Sequence, residues 1–225
     1  MRGKKLPRVI VYNAVSLDGR IDWFAADLGQ FYGLVPTWGE DATLAGSETI
    51  VKAGEGAPEE EGSFDAPETV PGDTRPLLVI VDSRGRVRKW QTWRKAGYWR
   101  DVAALVSEAT PKEYLDYLDK RHVDYIVSGK DRVDLRSALE ALASRYGVKT
   151  VRVESGGTLN GVLLRAGLVD EVSLLIHPSL VGGMTLRSFF RAADLTSSDG
   201  VIPLRLIDMK RLDGDLVWLK YECVR

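Results

Sequence analysis

The chain has 225 residues, enough to bury a sizeable core in one large domain or two small ones, and its 44% hydrophobic and 28% charged content is that of an ordinary globular protein. Lys and Arg number 31 against 32 Asp and Glu, a net charge of -1 that argues against a nucleic-acid binder, because neutralising phosphates dominates such affinity. The single cysteine, Cys223, excludes an intramolecular disulfide and a cysteine-rich zinc site, and fits a reducing compartment.

The basic start MRGKKLP is followed by a short apolar stretch containing Asn13, which is not the pattern of a signal peptide. No apolar run approaches the ~20 residues that a membrane helix needs. A cytoplasmic protein is therefore expected. His122 and His177 lie far apart without metal-ligand spacing; both read as structural, and no metal site is expected.

In chain order, residues 8–16 (RVIVYNAVS) read as a strand covered on both faces, as in a largely parallel sheet, and Asp18-Gly19 marks a turn. Residues 22–41 scatter aromatics (Trp23, Phe24, Phe31, Tyr32, Trp38) among glycines, either a short helix and a loop lining a pocket or ordinary core packing. ATLAG, ending at Gly46, is a brief strand. Residues 52–75 are acidic, carry Pro and Gly and have few aliphatics, so a mobile surface loop is expected within one domain spanning 1–225. Residues 77–82 (LLVIVD) form a buried strand, 112–120 a helix and 123–128 a strand. Asp134 caps a helix that runs to about Tyr146, with Gly147 as the C-terminal cap glycine. A strand at 149–154, a helix from about Thr158 to Ala166 and a strand at 171–178 complete a β-α-β-α-β order, which implies a parallel sheet. Residues 201–211 and 215–224 alternate around Asp213-Gly214, a strong antiparallel hairpin signal.

The most informative local feature is VESGGTLNG, residues 153–161, between a strand and a helix. Gly156 and Gly157 allow close backbone approach, and Thr158 with the unpaired N–H groups of the helix start suits a phosphate; a tight turn without ligand has the same pattern. It is not the Rossmann glycine fingerprint. Glu154 ends the preceding strand, where ligands of parallel sheets gather, and is placed to hydrogen-bond a substrate amine or amide. Two further strand ends carry Asp82-Ser83-Arg84-Gly85-Arg86 and Ser128-Gly129-Lys130. Arg84, Arg86 and Lys130 are candidates for a 2′-phosphate, which would favour NADPH over NADH. Ser16-Leu17-Asp18-Gly19-Arg20 ends the first strand with polar groups and a cation.

Together these segments resemble a known family. SLDGRI from Ser16, DATLAGSETI from Asp41, RPLLVIVDSRGRV from Arg75, SGKDRVDL from Ser128, VESGGTLNGVLLRAGLVDEV from Val153 and HPSLVGG from His177 occur in family order over most of the chain. They are similar to the C-terminal reductase domain of bifunctional riboflavin-biosynthesis proteins and to stand-alone archaeal 2,5-diamino-6-ribosylamino-pyrimidinone 5′-phosphate reductases. The resemblance implies a dihydrofolate reductase-like α/β fold in three layers: a mostly parallel sheet, helices on both faces and a C-terminal antiparallel hairpin. It implies an NADPH-dependent reduction in which the open, imine-like ribosylamino group accepts a hydride at C1′ and becomes a ribitylamino group.

By motif match, Thr49, Ser83, Arg84, Gly85, Arg86, Ser155, Gly156, Gly157, Thr158 and Leu159 would touch NADPH, with Val127, Ser128 and Gly129 beside it. Ser16, Asp18, Arg20 and Glu154 would face the substrate; Arg20 stands where the family often has Lys. No proton donor is identified by the match. A homodimer is implied by the family alone.

The chain departs from the family at two places. Val51-Lys52-Ala53-Gly54 stands where an Asp-Asp-Pro is usual, and residues 30–40 (QFYGLVPTWGE) lack the arginines expected before DATLAG. Two other readings therefore stay open: an NADPH reductase of a pterin-like or other planar substrate, for which the aromatics of residues 23–38 would suit, and a nucleotide-binding protein without turnover.

Overall fold

In the computed structural model, which describes residues 6–62, 64–68, 70–183 and 187–224, strands and helices alternate along most of the chain. They are β1 (Arg8–Ser16), α1 (Leu28–Leu34), a 3-10 turn (Val35–Trp38), β2 (Ala42–Gly46), α2 (Ser47–Ala53), β3 (Leu77–Val81), α3 (Trp90–Arg94) and β4 (Asp101–Val106). Then come α4 (Lys112–Asp119), β5 (Asp124–Val127), α5 (Leu135–Tyr146), β6 (Thr150–Val153), α6 (Gly157–Arg165), β7 (Glu171–His177), β8 (Leu204–Arg211) and β9 (Val217–Cys223). Among the described residues no helix is long and apolar enough to cross a membrane.

Local chemistry explains the clearest boundaries. The Asp134 carboxylate accepts from the Ser137 N–H (2.9 Å), satisfying one orphan donor of the first turn of α5. Leu135, Ala138, Leu139 and Leu142 bury one face of that helix, and Gly147 ends it in the left-handed conformation. α1 starts in the same way, with the Asp27 side chain accepting from Gln30 N–H (2.9 Å).

By contact density the chain divides into two compact units. One contains Glu40–Val151. Its strands lie in the order β5-β4-β3-β2, with every neighbouring pair parallel. Its core gathers Ile80, Val102, Tyr114 and Leu118 around the buried indole of Trp90. The other unit contains Arg8–Gly39 and Arg152–Arg225. Here the order is β1-β7-β9-β8, parallel between β1 and β7 and antiparallel beyond, so the expected hairpin closes the chain. Its core holds Ile10, Tyr12, Phe31, Trp38, Leu175 and Trp218, with the Tyr12 and Phe31 rings stacked at 4.3 Å. β6 straddles the division.

The structure adds three elements to those expected from sequence. β4 is a fully paired strand between β3 and β5, but its Val-Ala-Ala-Leu-Val run is short and alanine-rich, with little β-branched signal. The helices α2 and α3 have seven and five residues, too few to show a helical period. The acidic stretch begins as the end of α2, and its loop is anchored. The Glu60 carboxylate accepts from Thr92 N–H (2.9 Å) and lies 3.5 Å from Arg121, whose guanidinium covers the Phe64 and Tyr117 rings. Most other described residues of the stretch are exposed, so it is a surface loop tied down at Glu60.

Candidate functional site

In the unit formed by Arg8–Gly39 and Arg152–Arg225, β1 ends in a turn that is closed on itself. Ser16 N–H donates to Arg20 O (2.9 Å), Arg20 N–H donates to Ser16 Oγ (3.0 Å), and Ser16 Oγ donates to Asp18 Oδ1 (2.6 Å). Asp18 also receives the N–H groups of Val181 (3.1 Å) and Gly182 (2.7 Å). The Ser16 hydroxyl first, and then those two N–H groups, hold its carboxyl well below the usual carboxylate range. The Arg20 guanidinium donates to Gly183 O, and its Nε lies 3.7 Å from Asp18. Ser16, Asp18 and Arg20 are thus brought together, with Ser16 itself buried.

The turn between β6 and α6 belongs to the same unit. Arg152 and Glu154 are two residues apart on extended chain, so both side chains point to one face. Arg152 Nη1 donates to Glu154 Oε2 at 2.7 Å from a side chain only 4% exposed. The other oxygen, Glu154 Oε1, accepts from Tyr32 Oη at 2.8 Å. The next residue, Ser155, is buried, and its carbonyl accepts from Asn13 Nδ2 (2.9 Å). Asn13 Oδ1 in turn accepts from Asn160 Nδ2 (2.8 Å), so two buried amides tie β1 to α6.

Gly156 is the N-terminal cap residue of α6, and no side chain caps the helix. The N–H groups at its first turn (Gly157, Thr158, Leu159) lack intrahelical acceptors, a geometry suited to an anion. Thr158 is exposed and Leu159 buried. The two glycines differ. A Cβ on Gly156 would meet only Ile21 Cδ1 at 3.7 Å, whereas one on Gly157 would lie 2.1 Å from Ser188 O. The close approach that Gly157 permits is therefore by the chain itself. A strap at residues 187–191 packs there, with Arg191 N–H donating to Gly157 O (3.0 Å), Phe189 N–H to Gly19 O (3.2 Å) and Asn160 Nδ2 to Phe189 O (2.8 Å).

In the unit containing Glu40–Val151, the residues from Ser83 to Arg86 form a turn organised by Asp82. Asp82 Oδ2 accepts from Arg86 N–H (2.7 Å), Val87 N–H (2.8 Å) and Tyr114 Oη (2.9 Å), and the residue is 1% exposed. Burial, and then the adjacent Asp82 charge, push the Tyr114 phenol far above its ordinary value. Gly85 has φ 64°, and a Cβ there would lie 2.6 Å from the Tyr114 ring, so only glycine fits. Ser83 spends its hydroxyl on Val133 N–H (3.0 Å) and its carbonyl on Thr110 (2.9 Å). Arg86 donates to Ser47 Oγ (2.9 Å) on α2, the helix that also carries Thr49.

Close to that turn, Ser128 Oγ donates to Asp134 O (2.8 Å), Gly129 O accepts from Glu108 N–H (2.9 Å), and Val127 is half exposed. Arg84 and Lys130 are exposed, and neither has an ion pair among the described residues.

Several residues that shape these turns carry no role in the sequence reading, namely Asn13, Asn160, Arg152, Asp82 and Tyr114, and Tyr32 figures there only as a candidate pocket aromatic. Arg152 was readable in principle, since VRVE alternates and puts Arg on the Glu154 face. Tyr114 was not, because its partner is 32 residues away. Of the aromatics between 23 and 38, Phe31 and Trp38 enter the core, while Trp23 and Tyr32 are exposed. His177 is structural as expected: Nε2 accepts from Asp27 N–H (2.9 Å) and Nδ1 lies 3.2 Å from Leu175 O, holding the start of α1. Among the described residues no cluster of three or more His, Cys, Asp or Glu is arranged to hold a metal ion.

Against known proteins, residues 37–218 match the family model described as the RibD C-terminal domain. The chain is 31% identical over 219 residues to the 2,5-diamino-6-ribosylamino-4(3H)-pyrimidinone 5′-phosphate reductase of Methanothermobacter thermautotrophicus, covering 94% of this chain and 96% of that protein. It is 37% identical over 111 residues to the enzyme of the same name from Archaeoglobus fulgidus, 49% of each chain. The fold is shared with a pyrimidine reductase-like protein from Corynebacterium diphtheriae (TM-score 0.74, 18% identity, covering 97% of this chain and 92% of that one). It is also shared with Acinetobacter baumannii RibD (TM-score 0.70, 23% identity), of which this chain, matched over 97% of its length, spans 58%.

Proposed function

The chain belongs to the RibD C-terminal domain family, and from that premise we propose that it is a reductase of riboflavin biosynthesis, converting a ribosylamino-pyrimidine 5′-phosphate to its ribitylamino form with NADPH. The observation that carries this reading is the match to an archaeal reductase over 94% of the chain. The reduction adds a hydride at C1′ and a proton at the neighbouring nitrogen, and NADPH supplies the hydride when bound. The chain's own residues bind and orient.

Each unit contributes support on its own. In one, the uncapped first turn of α6 and the open side of Gly156 suit a phosphate, and Glu154 presents a fixed carboxylate to a substrate amine. In the other, the Asp82-organised turn presents Arg84 to solvent, a cation for a 2′-phosphate. The pterin alternative loses its footing, because Phe31 and Trp38 pack into the core rather than around a pocket.

The reading also includes a homodimer in a reducing, cytoplasmic setting. It is supported by β8, the last strand of its sheet order, on which Leu204, Leu206, Ile207 and Met209 are all exposed. Light scattering of Met209→Lys against the parent chain tests the assembly; a dimer insensitive to this charge would place the interface elsewhere.

The function is tested by titrating NADPH and NADH against the fluorescence of the six tryptophans, followed by turnover of the ribosylamino-pyrimidinone phosphate. Saturable binding that prefers NADPH, with turnover, is expected. Turnover of a pterin instead, or binding of neither nucleotide, would overturn the reading.

A further inference from the structure

We infer that Tyr32 is a positioning residue that, opposite buried Arg152, fixes the Glu154 carboxylate in one orientation toward the substrate; its bearing on turnover rests on the function proposed above. Each oxygen of Glu154 has one donor, Arg152 Nη1 on Oε2 at 2.7 Å and Tyr32 Oη on Oε1 at 2.8 Å. A carboxylate held at both oxygens cannot rotate about its terminal bond without breaking a charge-assisted bond. Each oxygen retains a second lone-pair direction, so the group still accepts from a substrate N–H.

The two donors differ in kind. Arg152 is 3% exposed and lies in β6, two residues before Glu154, so it anchors the group from within. Tyr32 is 51% exposed and comes from α1, some 122 positions away in sequence. Helix α1 has seating contacts besides those of Tyr32. Phe31 stacks on Tyr12, and the helix start is held by the Asp27 cap and by His177. The Tyr32 ring meets Phe31 edge-on, with centroids 5.1 Å apart, at the margin of the apolar cluster that includes Phe31 and Trp38. Its hydroxyl donates to the Glu154 carboxylate just beyond β6. Tyr32 lies in residues 30–40, a stretch that holds no arginine.

The test combines kinetics with a signal that needs no turnover. Tyr32→Phe is expected to lower kcat/KM for the pyrimidine phosphate about tenfold, as for loss of one charge-assisted bond at an oriented group. The NADPH dissociation constant should stay at the parent value. In a double-mutant cycle, Tyr32→Phe should add nothing in a Glu154→Gln background. Separately, the 13Cζ resonance of Tyr32, assigned by its absence in Tyr32→Phe, should shift on Glu154→Gln.

Parent-like kinetics of Tyr32→Phe, or multiplying effects in the cycle, would overturn the inference. If the parent chain turns over no pyrimidine phosphate, the function reading falls, and the carbon signal still decides this one. A Tyr32 resonance that ignores Glu154→Gln would sink it.

Discussion

Asp82 and Asp18 each gather the N–H groups of a turn that follows a strand, one in each unit, the first fully buried and the second partly exposed. Asp82 is 1% exposed, and its donors are two backbone N–H groups and the buried Tyr114 hydroxyl. Asp18 has a side chain 26% exposed, and its donors are the Ser16 hydroxyl and two N–H groups of residues 181 and 182. The bonding pattern is nearly the same, yet the consequences of losing it differ. Without Asp82, buried donors keep no partner and cannot reach water, whereas without Asp18, water replaces most of what is lost. The first turn is a rigid part of the core that carries Arg84 outward; the second is an exposed clasp.

The largest expected effect sharpens that contrast. Asp82→Ala should cost about 3 kcal/mol of stability, the penalty of orphaning buried donors, and, under the function proposed above, should weaken NADPH binding by loosening the Ser83–Arg86 turn. Urea unfolding and the fluorescence titration measure both; an Asp82→Ala no more damaging than Asp18→Ala would break the comparison.

Gly157→Ala comes next. Its Cβ would stand 2.1 Å from the Ser188 carbonyl, so the strap at 187–191 must shift away from α6 and from the turn at Gly19. A loss of about 1–2 kcal/mol is expected, together with faster proteolytic cleavage near the strap, read by thermal melting and limited proteolysis. Parent-like cleavage would show that the clasp does not lean on the strap.

The smallest effect concerns pH. The folded-state pKa of Asp18 is lowered by its hydrogen bonds, so its contribution is fully present above the unfolded value of about 3.9. That contribution fades as pH falls below this value toward the folded one. The stability gap between the parent chain and Asp18→Asn should accordingly be constant from neutral pH to about 4 and close below it. Urea midpoints along a pH series check this; a gap that persists in acid would mean that the Asp18 charge is not what holds residues 181 and 182.

Much of the architecture was legible in the residues themselves where the information is local. Asp134 and Gly147 bracket α5 because a cap needs only its own turn, and Asp213-Gly214 announces the hairpin because the turn conformation is a property of that dipeptide. β4 escapes such a reading, since Val-Ala-Ala-Leu-Val becomes a strand through its pairing with β3 and β5 rather than by its own propensity. Among the candidate residues, Glu154 in one unit and the Ser83–Arg86 turn in the other are visible in the sequence through their family motifs, while the contacts of Tyr32, Asp82 and Tyr114 are not, because their partners lie far along the chain.

The amino-acid sequence by itself determines the alternation of strands and helices, the closing hairpin, and the motifs that place the chain among the RibD-type reductases. All of these depend on neighbours within a few residues, or on patterns preserved along the chain. Only the tertiary structure decided that Gly157 makes room for the Ser188 carbonyl, that Asp82 rather than Ser83 organises its turn, and that Tyr32 reaches Glu154. Each of those is a contact across long sequence separation, set by how helices and loops pack on the sheet, and no local pattern specifies it.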